Sequence, residues 1–255
     1  MQIDPTDPRS PSKQIAAALR DQIVSGELAP GARLQTERAL TAEWGVAPQT
    51  IRQAVAILKN EGLVIGKAGS GVFVRTAPPL IRLGTARFSR AKRAAGKAAQ
   101  QSEAEAAGRT FRQEVLGLGE VEAPEFVARW FGVEPGAAVF RRYRREYVDE
   151  QITHVSASYY MPEVVAGTAI TETSTGPGGS YARLEEKGHL LTRFHQEFSA
   201  RMPTPDEIRL LRLPAGTPVM DVVRVAYGEH GPLEVYTSVV NASMIIFTED
   251  FDAPE

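Results

Sequence analysis

Residues 33–74 read RLQTERALTAEWGVAPQTIRQAVAILKNEGLVIGKAGSGVFV, an order of helix, sharp turn, second helix and small hairpin. The second helix is the clearest part. Ile51, Val55 and Leu58 recur at helical spacing with Ala54 between them, so one face is apolar. The other face carries Gln49, Arg52, Gln53 and Lys59, whose donors suit base edges and phosphates. Pro48 fits the first helical position, where a missing N–H costs nothing, and Gly62 fits the left-handed residue that closes a helix. The preceding helix is predicted over about 36–44, capped by Thr36 and stopped by Gly45, with Ala39, Leu40 and Trp44 turned inward. The apolar, β-branched runs 63–65 and 72–74 predict the hairpin. Its loop holds one cation, Lys67, and no bulk at Gly69, which suits a minor groove.

These elements together predict a winged helix-turn-helix within residues 10–76. Upstream, Ser10 and Pro11 open a further helix whose buried face is Ile15, Leu19 and Ile23 and whose end is Gly26. Residues 1–9 are expected to be a disordered lead. Downstream, residues 77–109 are rich in Arg, Lys, Ala and Gly and are expected to form a solvated basic linker. A sharper reading of that stretch has Arg87, Arg90, Lys92 and Arg93 touching DNA phosphates. From 110 to 251 helices and strands mix, giving an α+β class for the whole chain. Helices are predicted over 124–131, 180–187 and 204–213, and strands over 139–148, 152–161, 194–200, 219–228 and 233–241. An internal echo runs at an offset of 80, pairing Gly136, Val139, Arg144, Tyr147, Val155 and Ser158 with Gly216, Val219, Arg224, Tyr227, Val235 and Ser238. Two such halves would form one antiparallel sheet, with a cleft between them for a ligand.

The net charge of −2 conceals an asymmetry. Residues 1–75 hold nine Lys+Arg against seven Asp+Glu, residues 76–112 eight against two, and residues 113–255 twelve against 22. A polyanion is attracted to the first part of the chain and repelled by the rest. The chain has no cysteine, which excludes disulfides, thiolate metal sites and a cysteine nucleophile. No run of apolar residues is long enough for a membrane span, and the first residues lack the order of a signal peptide. A cytoplasmic protein without membrane contact is expected.

The stretch SKQIAAALRDQIVSGELAPGARLQTERALTAEWGVAPQTIRQAVAILKNEGLVIGKAGSGVFV resembles the GntR family of bacterial transcription regulators. FRRYRREYVDEQITHVSASYYMP, SYARLEEKG and RLLRLPAGTPVMDVVRVAYGEHGPLEVYTSVV resemble its HutC-type branch, which carries a UTRA effector domain. The resemblance covers nearly all of residues 12–250. It implies a homodimer on a palindromic double-stranded operator, with the second helix in the major groove and the wing in the minor groove. It also implies a C-terminal domain of chorismate-lyase-like fold that binds a small molecule and repositions the heads; most relatives repress. By resemblance, Arg38, Thr50, Arg52 and Gly69 match DNA-contacting positions, and Arg33 a phosphate contact. Ala47-Pro48 stands where many relatives have Ser/Thr-Arg, which leaves base reading to Gln49, Arg52 and Gln53.

For the effector, Arg142 and Arg144 match the family's Arg-x-Arg strand and, two apart, share a strand face. Ser158 and Tyr160 do likewise on the next strand, Glu234 matches the acidic residue of the family's Pro-x-Glu turn, and Tyr236 shares its face. Arg224 is the repeat partner of Arg144. Paired arginines suit a phosphate or carboxylate, such as a sugar phosphate or an organic acid. No catalytic residue, metal or cofactor is expected. The histidines 154, 189, 195 and 230 have no metal-ligand spacing, and no GxSxG, Walker A or GxGxxG motif occurs. A lyase-like enzyme has no use for a DNA-binding head, and an architectural DNA binder has none for a large acidic domain.

Overall fold

The computed structural model describes residues 2–76, 80–96 and 98–250. The chain divides into two compact units, Met1–Pro78 with Leu213–Thr217, and Pro79–Arg212 with Pro218–Glu255.

The N-terminal unit holds helices α1 (Pro11–Val24), α2 (Glu37–Trp44) and α3 (Pro48–Asn60), then strands β1 (Val64–Lys67) and β2 (Gly71–Val74). Thr36 Oγ1 accepts from Ala39 N at the start of α2, and Gly45 closes that helix at φ +63°. At the end of α3, Leu63 N donates to Leu58 O and Gly62 N to Lys59 O, with Gly62 left-handed, which makes a Schellman ending. Ile15, Leu19, Leu40, Trp44, Ile51, Ala54, Leu58, Val64 and Val74 share one buried core.

Three expectations are corrected. Ala39 is exposed, because Leu40 and Trp44, four apart, already fill the inward stripe of α2. Ser10 stands at the cap position of α1, but its hydroxyl bonds Ser12 Oγ rather than the helix N–H groups. The lead is not free either: Gln14 accepts from Asp4 N and donates to Asp4 O and Arg9 O, and Ile3 packs on the core.

In the second unit the order is β3 (Ile81–Gly84), α4 (Arg90–Ala94), α5 (Ala99–Ala106), β4 (Phe111–Glu122), α6 (Glu125–Phe131), β5 (Ala138–Val148) and β6 (Gln151–Tyr160). It continues with α7 (Pro162–Val165), α8 (Gly179–Glu186), β7 (Arg193–Arg201), α9 (Pro205–Leu211), β8 (Val219–Gly228), β9 (Gly231–Asn241) and β10 (Ile245–Thr248). Six strands form one antiparallel sheet in the order β4-β5-β6-β9-β8-β7, and β10 pairs parallel with β3. The α+β class holds, and the predicted strands and helices of residues 124–241 form within a few residues of their expected bounds.

The echo at 80 is visible in the register. Arg144 pairs with Ser156 and Arg224 with Tyr236, each residue 80 beyond its counterpart. Across the central β6–β9 pair, Ser158 faces Tyr236 and Ser156 faces Ser238, contacts that the same offset exchanges. Ala157 facing Thr237 therefore lies on a pseudo-twofold axis between two β-α-β-β halves.

The alternation of each strand separates two faces. On one, Val139, Ala157, Tyr159, Val225 and Val235 pack with Val127 and Ala128 of α6. On the other, two apolar clusters lie at opposite ends. Phe140, Tyr160 and Ala226 pack with Phe88, Tyr181 and Leu184, whereas Val148, Val222 and Val240 pack with Ile81, Leu83 and Ala104. Between the clusters the sheet carries a buried polar band of Arg142, Glu146, His154, Ser156, Ser158, Arg224, Glu234 and Ser238.

Of the stretch 77–109 expected to be a solvated linker, residues 77–79 and 97 lie outside the described residues and the others are folded onto this face. Residues 81–84 pair with β10, Phe88 stacks on Phe194 with ring centroids 4.7 Å apart, and α4 and α5 follow. Two of the four cations read there as DNA contacts are buried in this unit. Arg87 is 4% exposed and donates to Gly84 O and Gln196 Oε1; Arg93 is 6% exposed and pairs with Glu185 at 2.7 Å. Arg90 also reaches Glu185, at 3.4 Å. Composition alone hid this, because each guanidinium has a specific acceptor elsewhere in the chain.

Candidate functional site

Two surfaces collect the chemistry. In the N-terminal unit, the exposed stripe of α3 consists of Gln49, Arg52, Gln53 and Ala56, opposite the buried Ile51, Ala54 and Leu58. Thr50 is half-buried beside it. Arg52 lies 3.9 Å from Glu37 of α2, a long contact between two exposed side chains that competes weakly with any other partner. Arg38 is exposed on α2.

The wing is wider than a hairpin. Residues 31–34 add a third rung, through Leu34 N to Val72 O, Val74 N to Ala32 O and a bridge between Arg33 and Phe73. That pairing lays the Arg33 side chain over Gly71, where a Cβ would come within 3.0 Å of its Nε. Gly71 and Gly69 have φ of +115° and +71°, and a Cβ on Gly69 would meet nothing. Lys67 Nζ sits 4.8 Å from the Phe73 ring centroid. The structure thus groups Arg33, Lys67 and Gly69 on the wing, and Gln49, Thr50, Arg52 and Gln53 on α3.

In the second unit the polar band closes around a cavity of about 60 Å³ lined by Gln113, Arg144, Tyr181, Arg224, Glu234 and Tyr236, with the loop 175–180 and Ala98 above. Five elements position these groups. Arg144 and Arg224 stand at equivalent places on β5 and β8, on either side of the pseudo-twofold axis, and the N-terminus of α8 meets them through Gly179, Ser180 and Tyr181. Arg144 donates to Ser158 Oγ at 2.6 Å, and Arg224 lies 3.4 Å from Glu234. The Nε atoms of both arginines are buried and have no hydrogen-bond partner. Glu234 also accepts from Tyr160 at 2.8 Å and Tyr181 at 2.5 Å. Burial opposes charge on Glu234, but Arg224 and the two phenols outweigh it and hold the carboxyl below its ordinary range. Burial and the neighbouring carboxylate push both tyrosines up, so they remain donors.

Of the residues expected to meet an effector, Arg144, Arg224, Glu234 and Tyr236 line this cavity, and Ser158 and Tyr160 bond directly to that lining. Arg142 is on the same sheet face, but its guanidinium donates to the carbonyls of Ile170, Glu172 and Thr173 and so anchors the covering loop. Sequence reasoning missed Tyr181, Gln113 and the pair Glu146–His154. His154 Nε2 is 2.8 Å from Glu146, and Ser156 Oγ donates to the same carboxylate. Burial disfavours that charge, yet His154, Arg144 and Ser156 together bring the carboxyl down to about 2. The missed signal was the two-residue period itself, which places Glu146 beside Arg144 and His154 beside Ser156. Among the described residues no group of three or more His, Cys, Asp or Glu could hold a metal. No helix among them is long and apolar enough to cross a membrane.

A wider groove, of about 650 Å³, crosses the opposite sheet face beside α6 and α9. Of its acidic residues, Glu207 and Asp221 are engaged by Arg201, at 2.6 Å each, and Asp206 by Arg209. The small cavity differs in bringing two arginines, Arg144 and Arg224, together with the Glu234 carboxylate and the Tyr181 hydroxyl.

The comparisons with known proteins agree with this division. Residues 11–74 match the family of bacterial regulatory proteins named gntR, and residues 106–245 match the UTRA domain. An HTH-type transcriptional regulator of Streptomyces coelicolor is 32% identical, over 97% of this chain and 95% of that protein. The HTH-type transcriptional repressor NagR of Bacillus subtilis is 25% identical, over 86% of this chain and 84% of its own. The crystal structure of PhnF from Mycobacterium smegmatis shares the fold with a TM-score of 0.58 at 23% identity, covering 94% of this chain and all of that one. The chain is a transcriptional regulator of the GntR family with a C-terminal UTRA domain.

Proposed function

We propose that the chain is a ligand-responsive repressor, in which residues 10–76 bind a palindromic operator as a homodimer and a small anion in the sheet domain of residues 110–251 alters that binding. The observation that carries the reading is the cavity between Arg144 and Arg224. Two guanidinium groups, the half-buried Arg144 and the buried Arg224, each with a buried and unpartnered Nε, converge there on a helix N-terminus, an arrangement that stabilises a phosphate or carboxylate. A sugar phosphate or an organic acid fits this chemistry. In the same reading α3 enters the major groove, and Arg33, Lys67 and Gly69 bring the wing to the minor groove and its phosphates. Arg38 and Thr50 add backbone contacts, and Gln49, Arg52 and Gln53 face base edges.

At about 60 Å³ the cavity is smaller than the several hundred Å³ of a typical metabolite pocket. Ligand entry therefore lifts the loop 172–179, whose ties include the Arg142 bonds, the Arg183 bond to Pro177 O and the 2.8 Å bond from Gly178 N to Gly96 O. That last bond joins the loop to the turn that follows α4.

The test is a thermal-shift screen of phosphorylated sugars and small carboxylates against the wild type and Arg144→Ala, followed by binding to DNA upstream of its own gene. A compound that raises the melting temperature of the wild type alone, changes its DNA affinity and is recovered unchanged supports the reading. A compound that stabilises both proteins equally, or is recovered as a product, contradicts it.

A further inference from the structure

We propose that Gln49 and Gln53 each read an adenine, so that the operator half-site carries two adenines at the positions facing the first two turns of α3. The inference rests on the reading that α3 enters the major groove, and it assigns what α3 finds there.

Gln49 and Gln53 are exposed, lie four residues apart on one stripe, and make no hydrogen bond with the described residues. Each amide offers a donor and an acceptor side by side. That pair matches N7 and N6 of adenine, whereas the other purine presents two acceptors in the groove and calls for a guanidinium or ammonium. Four helical residues span about 6 Å, and base pairs stack at about 3.4 Å, so the two amides reach bases one or two steps apart.

The rest of the stripe narrows the code. Ala47, Pro48 and Ala56 are exposed and carry no side-chain donor or acceptor. Small apolar groups of this kind suit the thymine methyl, the partner face of the same A·T pairs. From Ala47 to Asn60 there is no Asp or Glu, so α3 holds no carboxylate to accept from the cytosine amino group. Arg52 is the stripe's guanidinium and the group suited to a guanine. Two bifunctional amides beside apolar residues thus favour A·T at those positions, because adenine is the base that satisfies both the donor and the acceptor of one amide.

The experiment is selection of binding sites from a random duplex pool by the full-length chain, run for the wild type, Gln49→Ala, Gln53→Ala and Gln53→Arg. The best selected site is then rebuilt with 7-deazaadenine at each preferred adenine. Non-specific binding at low salt checks that each variant folds. The expected result is two adenine columns per half-site. One column is lost in each alanine variant, and one turns to guanine in Gln53→Arg. Each 7-deaza substitution, which removes one of the two hydrogen bonds, weakens wild-type binding about 2- to 12-fold and leaves the matching alanine variant unaffected. Columns that change in the glutamine variants but were not adenine in the wild type overturn the adenine assignment and leave α3 as the reading helix. A selected motif identical in all four proteins, or none in the wild type, overturns the placement of α3 as well.

Discussion

Arg144 and Arg142 sit two residues apart on one strand face, yet their surroundings separate them. Arg144 keeps a free Nε at the cavity, whereas Arg142 spends its terminal nitrogens on three loop carbonyls. Arg144→Ala is expected to leave DNA affinity unchanged and abolish the response to effector, measured by operator binding with and without ligand. Arg142→Ala is expected to loosen the covering loop and lower stability by about 1–3 kcal/mol, because the buried Ile170 carbonyl and the part-buried carbonyls of Glu172 and Thr173 lose their partner; chemical denaturation checks this. Glu146 gives a pH signature. Its carboxyl is held at about 2 against an ordinary 4.5, so its contribution to stability is complete above 4.5 and is lost as the pH falls toward 2. The melting temperature of Glu146→Gln should therefore fall less steeply than that of the wild type across this acid range. Equal slopes would mean that the His154–Glu146 pair does not stabilise the folded state. These distinctions were half legible in the sequence. The strand period put both arginines on one face, but only the fold shows which of them the loop at 170–173 has already claimed.

At the level of elements, the ones that sequence located best are those whose ends are chemically marked. Thr36 and Gly45 bracket α2, Pro48 and Gly62 bracket α3, and Thr204 with Glu207 forms a capping box on α9. Thr36→Ala should cost about 1 kcal/mol of stability by losing its bond to Ala39 N, with Thr36→Asn largely restoring it, as read by denaturant midpoints. The unmarked elements were missed. β4 has a register shift between Val115 and Gly117 and glycines at 117 and 119, which blur its alternation. β3 and β10 are four residues each and form a pair only because distant parts of the chain meet. The stretch 80–109 failed for a different reason. Its basic composition resembles a solvated tether, but Arg87 and Arg93 are balanced by Gly84, Gln196, Phe88 and Glu185, acceptors that no local pattern reveals.

For the whole molecule, the charge asymmetry sets how it meets DNA. The acidic part from residue 113 onward disfavours a polyanion, so attraction rests on the cations of residues 1–112. Each phosphate contact made by a Lys or Arg contributes about 0.9 to the slope of log affinity against log salt. Arg33→Ala should weaken all duplexes alike and flatten that slope by about one, whereas Arg52→Ala should remove selectivity. The effector site is the less legible half. The echo at 80 paired the two arginines that line the cavity, Arg144 and Arg224, but nothing in the sequence marks what an effector proposed there would be. An effector at a hundredfold excess over its Kd should stabilise the chain by about 2.7 kcal/mol. The most direct measurement is the affinity of the wild type and Arg52→Ala for the DNA upstream of the chain's own gene and for random duplex, at two salt concentrations. Tight, salt-sensitive, selective binding by the wild type is expected, with a loss of about 1–3 kcal/mol of that selectivity in the variant. Weak binding that is equal for both duplexes and unchanged by the substitution would contradict this expectation.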